Sequence, residues 1–207
     1  MHNLSTGRVN SNAWKRSLSI SRGRFLLQWT ALVAAACCVL LFLTGSTELG
    51  PEYRVKAAFL YNFAKFIDWP NDKTKATIRF CIVGEDPLGV AMETIAGKIV
   101  RGRVISVQQV SMQDTASDCH MLFVSGFDAL PGKQTVDRMT NQGIVTVGEG
   151  EQFVHYGGMI GFTTKRQEST SDKIRVGFAI NMDTARRAGV QISSELLKLA
   201  TAVEGVR

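Results

Sequence analysis

The chain has 207 residues, 45% of them apolar and 20% charged, which excludes disordered, collagen-like and mucin-like architectures. Its formal charge of +6 sits at one end: residues 1–46 hold five basic side chains and no acidic one, leaving 19 basic against 18 acidic groups elsewhere. Nucleic-acid binding based on overall basicity loses its support, and about 160 residues remain to fold as one domain with a sizeable core.

A polar, basic stretch over residues 1–24 precedes Phe25–Leu43, which is apolar apart from Gln28 and Thr30. This is the layout of an export signal, and the apolar run is also just long enough to cross a bilayer as a helix. Residues 1–46 are therefore expected to be a signal peptide or an N-terminal signal anchor. Either way the positive flank stays inside and residues 47–207 face outward. Ala36-Cys37 is a poor lipidation site, because the apolar run continues through Val39–Leu43.

Tyr53–Trp69 reads as a helix stopped by Pro70. At 100° per residue, Arg54, Asn62, Lys65 and Asp68 share a polar arc, and apolar or aromatic residues fill most of the remainder. Lys56 lies nearly opposite that arc. Its stem is expected either to lie along apolar surface with the ammonium in water, or to bury the charge against a carboxylate or a partner. The apolar surface wraps far enough round to predict a self-associating or partner-binding face on this helix, formed by Lys56, Phe59, Tyr61, Phe63, Phe66 and Trp69.

Thr77–Val83 reads as a strand, followed by a Gly84-Glu85-Asp86-Pro87 junction. There Asp86 caps a helix to about Ala96, and the two carboxylates make the junction structural rather than anion-binding. Val104–Val110 and the wholly apolar Met121–Val124 are strands, Lys133–Asn141 a helix, and Ile144–Val147 a strand. One helical turn at Gln152–Tyr156 leads into a hairpin of Met159–Thr163 and Ile174–Ile180. Asp183–Ala188 and Ser194–Val203, the latter capped by Ser193, complete the order. The expected fold is a single α/β domain: a mixed, mostly parallel sheet with an antiparallel edge hairpin, flanked by helices.

Outside the N-terminal segment there are two cysteines, Cys81 and Cys119, each in or entering a strand. In an oxidising compartment they are expected to form one disulfide between neighbouring strands, the other possibility being two buried free thiols. Catalytic machinery is sparse. His120 and His155 stand apart without metal-ligand spacing, and no nucleophile elbow, Walker loop or zinc-protease motif occurs. Glu149 and Glu151 read as solvated surface. The residues point to a non-enzymatic exported domain needing no metal or cofactor.

Several motifs occur together and in order. Tyr53-Arg54-Val55-Lys56-Ala57-Ala58-Phe59-Leu60-Tyr61-Asn62-Phe63-Ala64-Lys65-Phe66 runs into Trp69-Pro70. Cys81-Ile82-Val83-Gly84, Cys119-His120 with Leu122-Phe123-Val124-Ser125, and Gly157-Gly158-Met159-Ile160 follow. The tail contributes Phe178-Ala179-Ile180-Asn181, Ala185-Arg186-Arg187-Ala188-Gly189 and Ser193-Ser194-Glu195-Leu196-Leu197-Lys198-Leu199-Ala200.

Over about residues 52–203 this closely resembles the YfiR family of periplasmic proteins. The resemblance implies a periplasmic regulatory domain over 47–207 that represses an inner-membrane diguanylate cyclase of the YfiN type, lowering cyclic-di-GMP and biofilm formation. An outer-membrane YfiB-like lipoprotein that sequesters the repressor, and a homodimer, are implied with it. Cys81 and Cys119 match the family's redox-sensitive disulfide, whereas a second cysteine pair found in some members has no equivalent around Gln152–Phe162. The competing expectation is a module that binds a small molecule or peptidoglycan fragment and feeds another sensor, with Trp69, Tyr61 and Arg175 as pocket groups.

Overall fold

A computed structural model of the chain describes residues 50–70, 76–113, 118–127, 130–166 and 174–205. The expected signal or anchor over 1–46 lies outside them. No helix among the described residues is long and apolar enough to cross a membrane.

The first helix, α1, spans Pro51–Phe66, with proline in its first turn where no amide is needed. It ends three residues earlier than the pattern predicts. Ile67–Asp68 is instead a short strand, β1, paired antiparallel with β9 (Gln191–Ile192). The Phe66 carbonyl accepts from the Ser193 amide at 2.9 Å, so a contact distant in sequence satisfies backbone that another helical turn would have used.

The main sheet has eight strands in the order β10-β8-β7-β6-β5-β2-β4-β3. Their ranges are β2 Thr77–Val83, β3 Ile99–Val100, β4 Arg103–Val110, β5 Met121–Val124, β6 Val145–Glu149, β7 Ile160–Arg166, β8 Ile174–Asn181 and β10 Ala202–Glu204. Five of the seven pairings are parallel; β7–β8 and β3–β4 are antiparallel. The fold is thus the expected α/β domain, with one refinement. The β7–β8 hairpin lies one strand in from the edge, because β10 pairs parallel with β8. The sequence pattern assigned Ala202 and Val203 to the last helix.

The other helices are α2 Gly89–Glu93, α3 Leu130–Thr140, α4 Glu151–His155, α5 Met182–Arg187 and α6 Ser194–Leu199. Asp86 does cap its junction: its Oδ1 accepts from the amides of Leu88 and Gly89 at 3.0 and 2.8 Å. The helix there is only five residues long. Asn181 and Ser193 cap α5 and α6, accepting from Thr184 and Leu196.

Alternation along β2 divides the core. Ile78, Phe80 and Ile82 face a cluster containing Leu60, Phe63, Phe162 and Phe178. Cys81 and Val83 face a smaller one with Leu122, Val124, Val136, Met139 and Phe153. Gly148 and Gly158 bracket Phe153: a Cβ on either would lie 2.3 or 2.2 Å from its ring. The chain order β4-β2-β5-β6-β7 reverses direction beside β2, so β2 and β5 flank a topological switch point. Their ends approach so closely there that a Cβ on Gly84 would sit 2.7 Å from the Ser125 carbonyl oxygen.

Candidate functional site

Three constellations surround the residues singled out by sequence. The first is at the start of α1. Lys56 is 2% exposed and its Nζ reaches Glu149 Oε2 at 2.7 Å, Oε1 at 2.8 Å and Glu52 Oε1 at 2.5 Å. The ammonium also lies 5.0 Å from the Tyr53 ring centroid and 5.9 Å from that of Phe162. The structure therefore selects the buried-cation reading over the solvated one. Glu149, expected to be free surface, is instead the principal counter-ion and joins α1 to the end of β6. Burial alone disfavours the charge. The hydrogen bonds and attraction of Glu149 and Glu52 together outweigh it, so the ammonium titrates above the ordinary lysine value.

Along the rest of α1, Phe63 is buried and Phe59, Tyr61 and Phe66 are partly buried against the main cluster, as is Trp69 just beyond β1. Phe59 and Phe63 stack with rings 6.0 Å apart, and both meet Phe178 edge-on at 5.3 and 4.9 Å. The wide apolar surface that suggested an external interface is taken up mostly inside the chain, by the sheet, α2, α6 and β3. Among the larger apolar residues of α1, Val55 is the one counted as exposed.

The second constellation lies where β1 leads into Trp69 and Pro70. The Trp69 indole N–H donates to the His120 carbonyl at 2.7 Å, and the two rings meet edge-on at 5.5 Å. His120 is buried; its Nδ1 faces the Arg79 amide at 3.2 Å and its Nε2 faces Arg103 Nη2 at 2.8 Å. Arg103 also donates to the Thr77 carbonyl at 2.7 Å. Arg101 donates to the Ile67 carbonyl at 3.1 Å and pairs with Asp68 at 2.6 Å. Arg101 reaches them from a left-handed backbone (φ 52°) in the two-residue turn Arg101-Gly102, where both residues have positive φ. Asp68, Trp69, Ile78, Arg101 and Arg103 line a cleft of about 240 Å³.

Trp69 lines this cleft and Arg175 does not. Arg175 is exposed on β8, opposite Lys165, four strands from β2 in the sheet. Tyr61 does not line the cleft either; its ring carries Lys65 at 4.4 Å and Lys98 at 5.5 Å. Arg101 and Arg103 were missed by the sequence reading. The one available signal was the Arg-Gly turn before a strand, which does not reveal that β4 begins beside the end of α1.

The third feature is the disulfide. Cys81 and Cys119 are bonded, Cα atoms 6.0 Å apart, joining β2 to the residues that enter β5. Both are buried, and the exposed Gln108 on β4 points its amide at Cys81 Sγ, 3.3 Å away. Among the described residues no three His, Cys, Asp or Glu side chains are grouped to hold a metal ion. What these constellations offer chemically is binding: a guanidinium-rich cleft with an indole wall, a locked helix start and a covalently stapled sheet.

A family model described as YfiR/HmsC-like matches residues 53–201. No curated protein matches the chain. Among solved structures, a conserved domain protein from Vibrio cholerae O1 biovar El Tor is similar with a TM-score of 0.50 at 11% identity, over 73% of this chain and 60% of its own length. The present chain therefore spans less than two thirds of that protein, and the likeness is one of fold. An ABC domain in complex with L-Trp from Streptococcus pneumoniae gives a TM-score of 0.40 at 14% identity, over 62% of this chain and 55% of its own.

Proposed function

The chain belongs to the YfiR/HmsC-like family, and from that premise we propose that it is a periplasmic regulator in cyclic-di-GMP signalling that works by contact, not catalysis. In this reading it binds the periplasmic sensor domain of an inner-membrane diguanylate cyclase of the YfiN type and holds the enzyme inactive. Cyclic-di-GMP and biofilm formation fall as a result, and a YfiB-like outer-membrane lipoprotein is the natural competitor for the repressor. The supporting observation is the extent of the family match, which runs from α1 to the end of α6 and so covers nearly the whole folded domain. The task suits a rigid, stapled domain. A repressor needs only a difference in affinity between two conformations of its target, about 1–3 kcal/mol for useful control. Deleting the gene in its own host should raise cellular cyclic-di-GMP, measured by mass spectrometry of nucleotide extracts. An unchanged pool overturns the proposal.

The Trp69 cleft favours a second reading, in which the domain also takes a small anionic or aromatic molecule and relays its presence to the membrane partner. Arg101, Arg103 and the Trp69 indole are its recognition groups.

A further inference from the structure

The two sulfurs of the Cys81–Cys119 bond have different surroundings. Cys81 lies inside β2, opposite Gln108 of β4 on one side and Leu122 of β5 on the other. It packs in the cluster with Val83, Leu122 and Val124 and is 1% exposed. Cys119 stands outside the strands, two residues before β5 begins, and is the more open of the pair at 6%.

Gln108 sharpens the asymmetry. The residue is exposed, yet its Nε2 donates to Cys81 Sγ at 3.3 Å and less closely, at 3.9 Å, to Cys119 Sγ. A disulfide sulfur is a weak acceptor and a thiolate a strong one, so this amide holds a Cys81 thiolate more tightly than the oxidised sulfur. Thiol–disulfide exchange needs one sulfur that an incoming thiolate can reach and another that departs readily with the electron pair. Here the two requirements fall on different cysteines.

We propose that Cys119 is the entry site for an external thiol, and that Gln108 is a positioning residue that makes Cys81 the leaving sulfur. The thiolate of a small dithiol attacks Cys119 Sγ and forms a mixed disulfide there, while the Cys81–Cys119 bond breaks. Its electron pair passes to Cys81 Sγ, to which the Gln108 amide donates. The second sulfur of the dithiol, deprotonated in turn, attacks its partner in the mixed disulfide. The reductant closes to a cyclic disulfide and Cys119 is released as a thiolate. Two electrons have moved from the dithiol to the protein, and its two thiol protons end on Cys81 and Cys119. Attack at Cys81 instead would need entry between two paired strands and would leave the charge on the sulfur farther from the amide. The family resemblance implies only that the bond responds to redox conditions. Its polarity comes from the burial of the two sulfurs and from Gln108, whichever membrane protein the domain controls.

Two measurements on the full chain in detergent micelles test this. First, Cys81→Ser and Cys119→Ser each leave one member of the pair free to react with cystamine. Peptide-resolved mass spectrometry separates these sites from Cys37 and Cys38. Cys119 should form the mixed disulfide at least about 10-fold faster than Cys81. Second, dithiothreitol reduces the intact bond in the wild type, Gln108→Leu and Gln108→Glu. Leucine fills similar space without a donor, and glutamate sets a carboxylate against the departing sulfur. Reduction should slow at least about 10-fold in Gln108→Leu and further in Gln108→Glu, while the three oxidised proteins melt together. A purely structural role for Gln108 would shift the melting temperature and leave this order of rates absent. If a serine variant does not fold, acid quenching of the wild type in excess cysteamine maps the first adduct. An adduct on Cys119 supports the proposal and one on Cys81 overturns it. It is equally overturned if Cys81 reacts as fast as Cys119, or if reduction is indifferent to both Gln108 substitutions.

Discussion

At the scale of single residues, Lys56 shows how far a side chain's meaning depends on what faces it. A lysine on the apolar side of a helix would ordinarily lay its stem on the surface and send the charge to water. Here the charge stays inside, because Glu52 one turn earlier and Glu149, 93 residues later, converge on it. The ammonium's folded-state pKa is raised, so its stabilising contribution is complete below the ordinary lysine value and is lost as pH climbs through the raised one. Lys56→Met keeps the stem and removes the charge, leaving two carboxylates that are partly exposed. We expect a loss of about 1–3 kcal/mol at neutral pH. The variant should also lack the Lys56-linked alkaline fall in stability expected of the wild type above about pH 10. Urea unfolding at pH 7 and across the alkaline range checks both. Equal stability at neutral pH, or the same alkaline limb in both proteins, contradicts the account.

At the scale of elements, the disulfide and the short strands do most of the organising. The cysteines are 38 residues apart in sequence, and closing that loop limits the unfolded chain, stabilising the fold by about 4 kcal/mol in the chain-entropy picture. Reduction, or Cys81→Ser, should therefore lower stability by roughly 2–4 kcal/mol, measured by denaturant unfolding with and without dithiothreitol. Identical midpoints would remove the staple from the stability account. The long apolar strands were legible from their periodicity: Met121–Val124 matches β5 residue for residue. The strands β1, β3, β9 and β10 were not, since two or three residues carry no period. β1, β9 and β10 exist because partners distant in sequence offer hydrogen bonds, and β3 because the Arg101-Gly102 turn folds it back on β4. The end of α1 is the clearest case: propensity would carry the helix on through Trp69, but β9 is there to pair with Ile67 and Asp68.

At the scale of the whole molecule, the sheet order brings together residues that sequence cannot associate. Because β4 lies beside β2, Arg101 and Arg103 arrive next to Trp69 and His120 to make the cleft. The same order carries Arg175 away from it. If the cleft takes an anionic or aromatic small molecule, a thermal-shift screen of aromatic carboxylates and peptidoglycan fragments should give a stabilising ligand whose effect is lost in Arg101→Ala. A screen in which nothing raises the melting temperature rejects the second functional reading and leaves the contact-based one untouched. The expected α1 interface illustrates the same point from the other side. The helix is as apolar as its pattern indicated, but Leu60, Phe63 and Ala64 are buried in the chain's own core. Gln108 likewise attracts no notice until β2 places Cys81 beside it.

The linear order of residues was sufficient for the α/β class, the parallel core strands, the cap at Ser193 in its place along the chain, and the family motifs. Each of these depends on spacing within a dozen residues or on the pattern as a string. Tertiary structure decided which carboxylates meet Lys56, which arginines flank Trp69, and which amide lies against the disulfide. Those outcomes depend on contacts between residues tens of positions apart, and they are set by how the strands are ordered across the sheet rather than by any local preference of the chain.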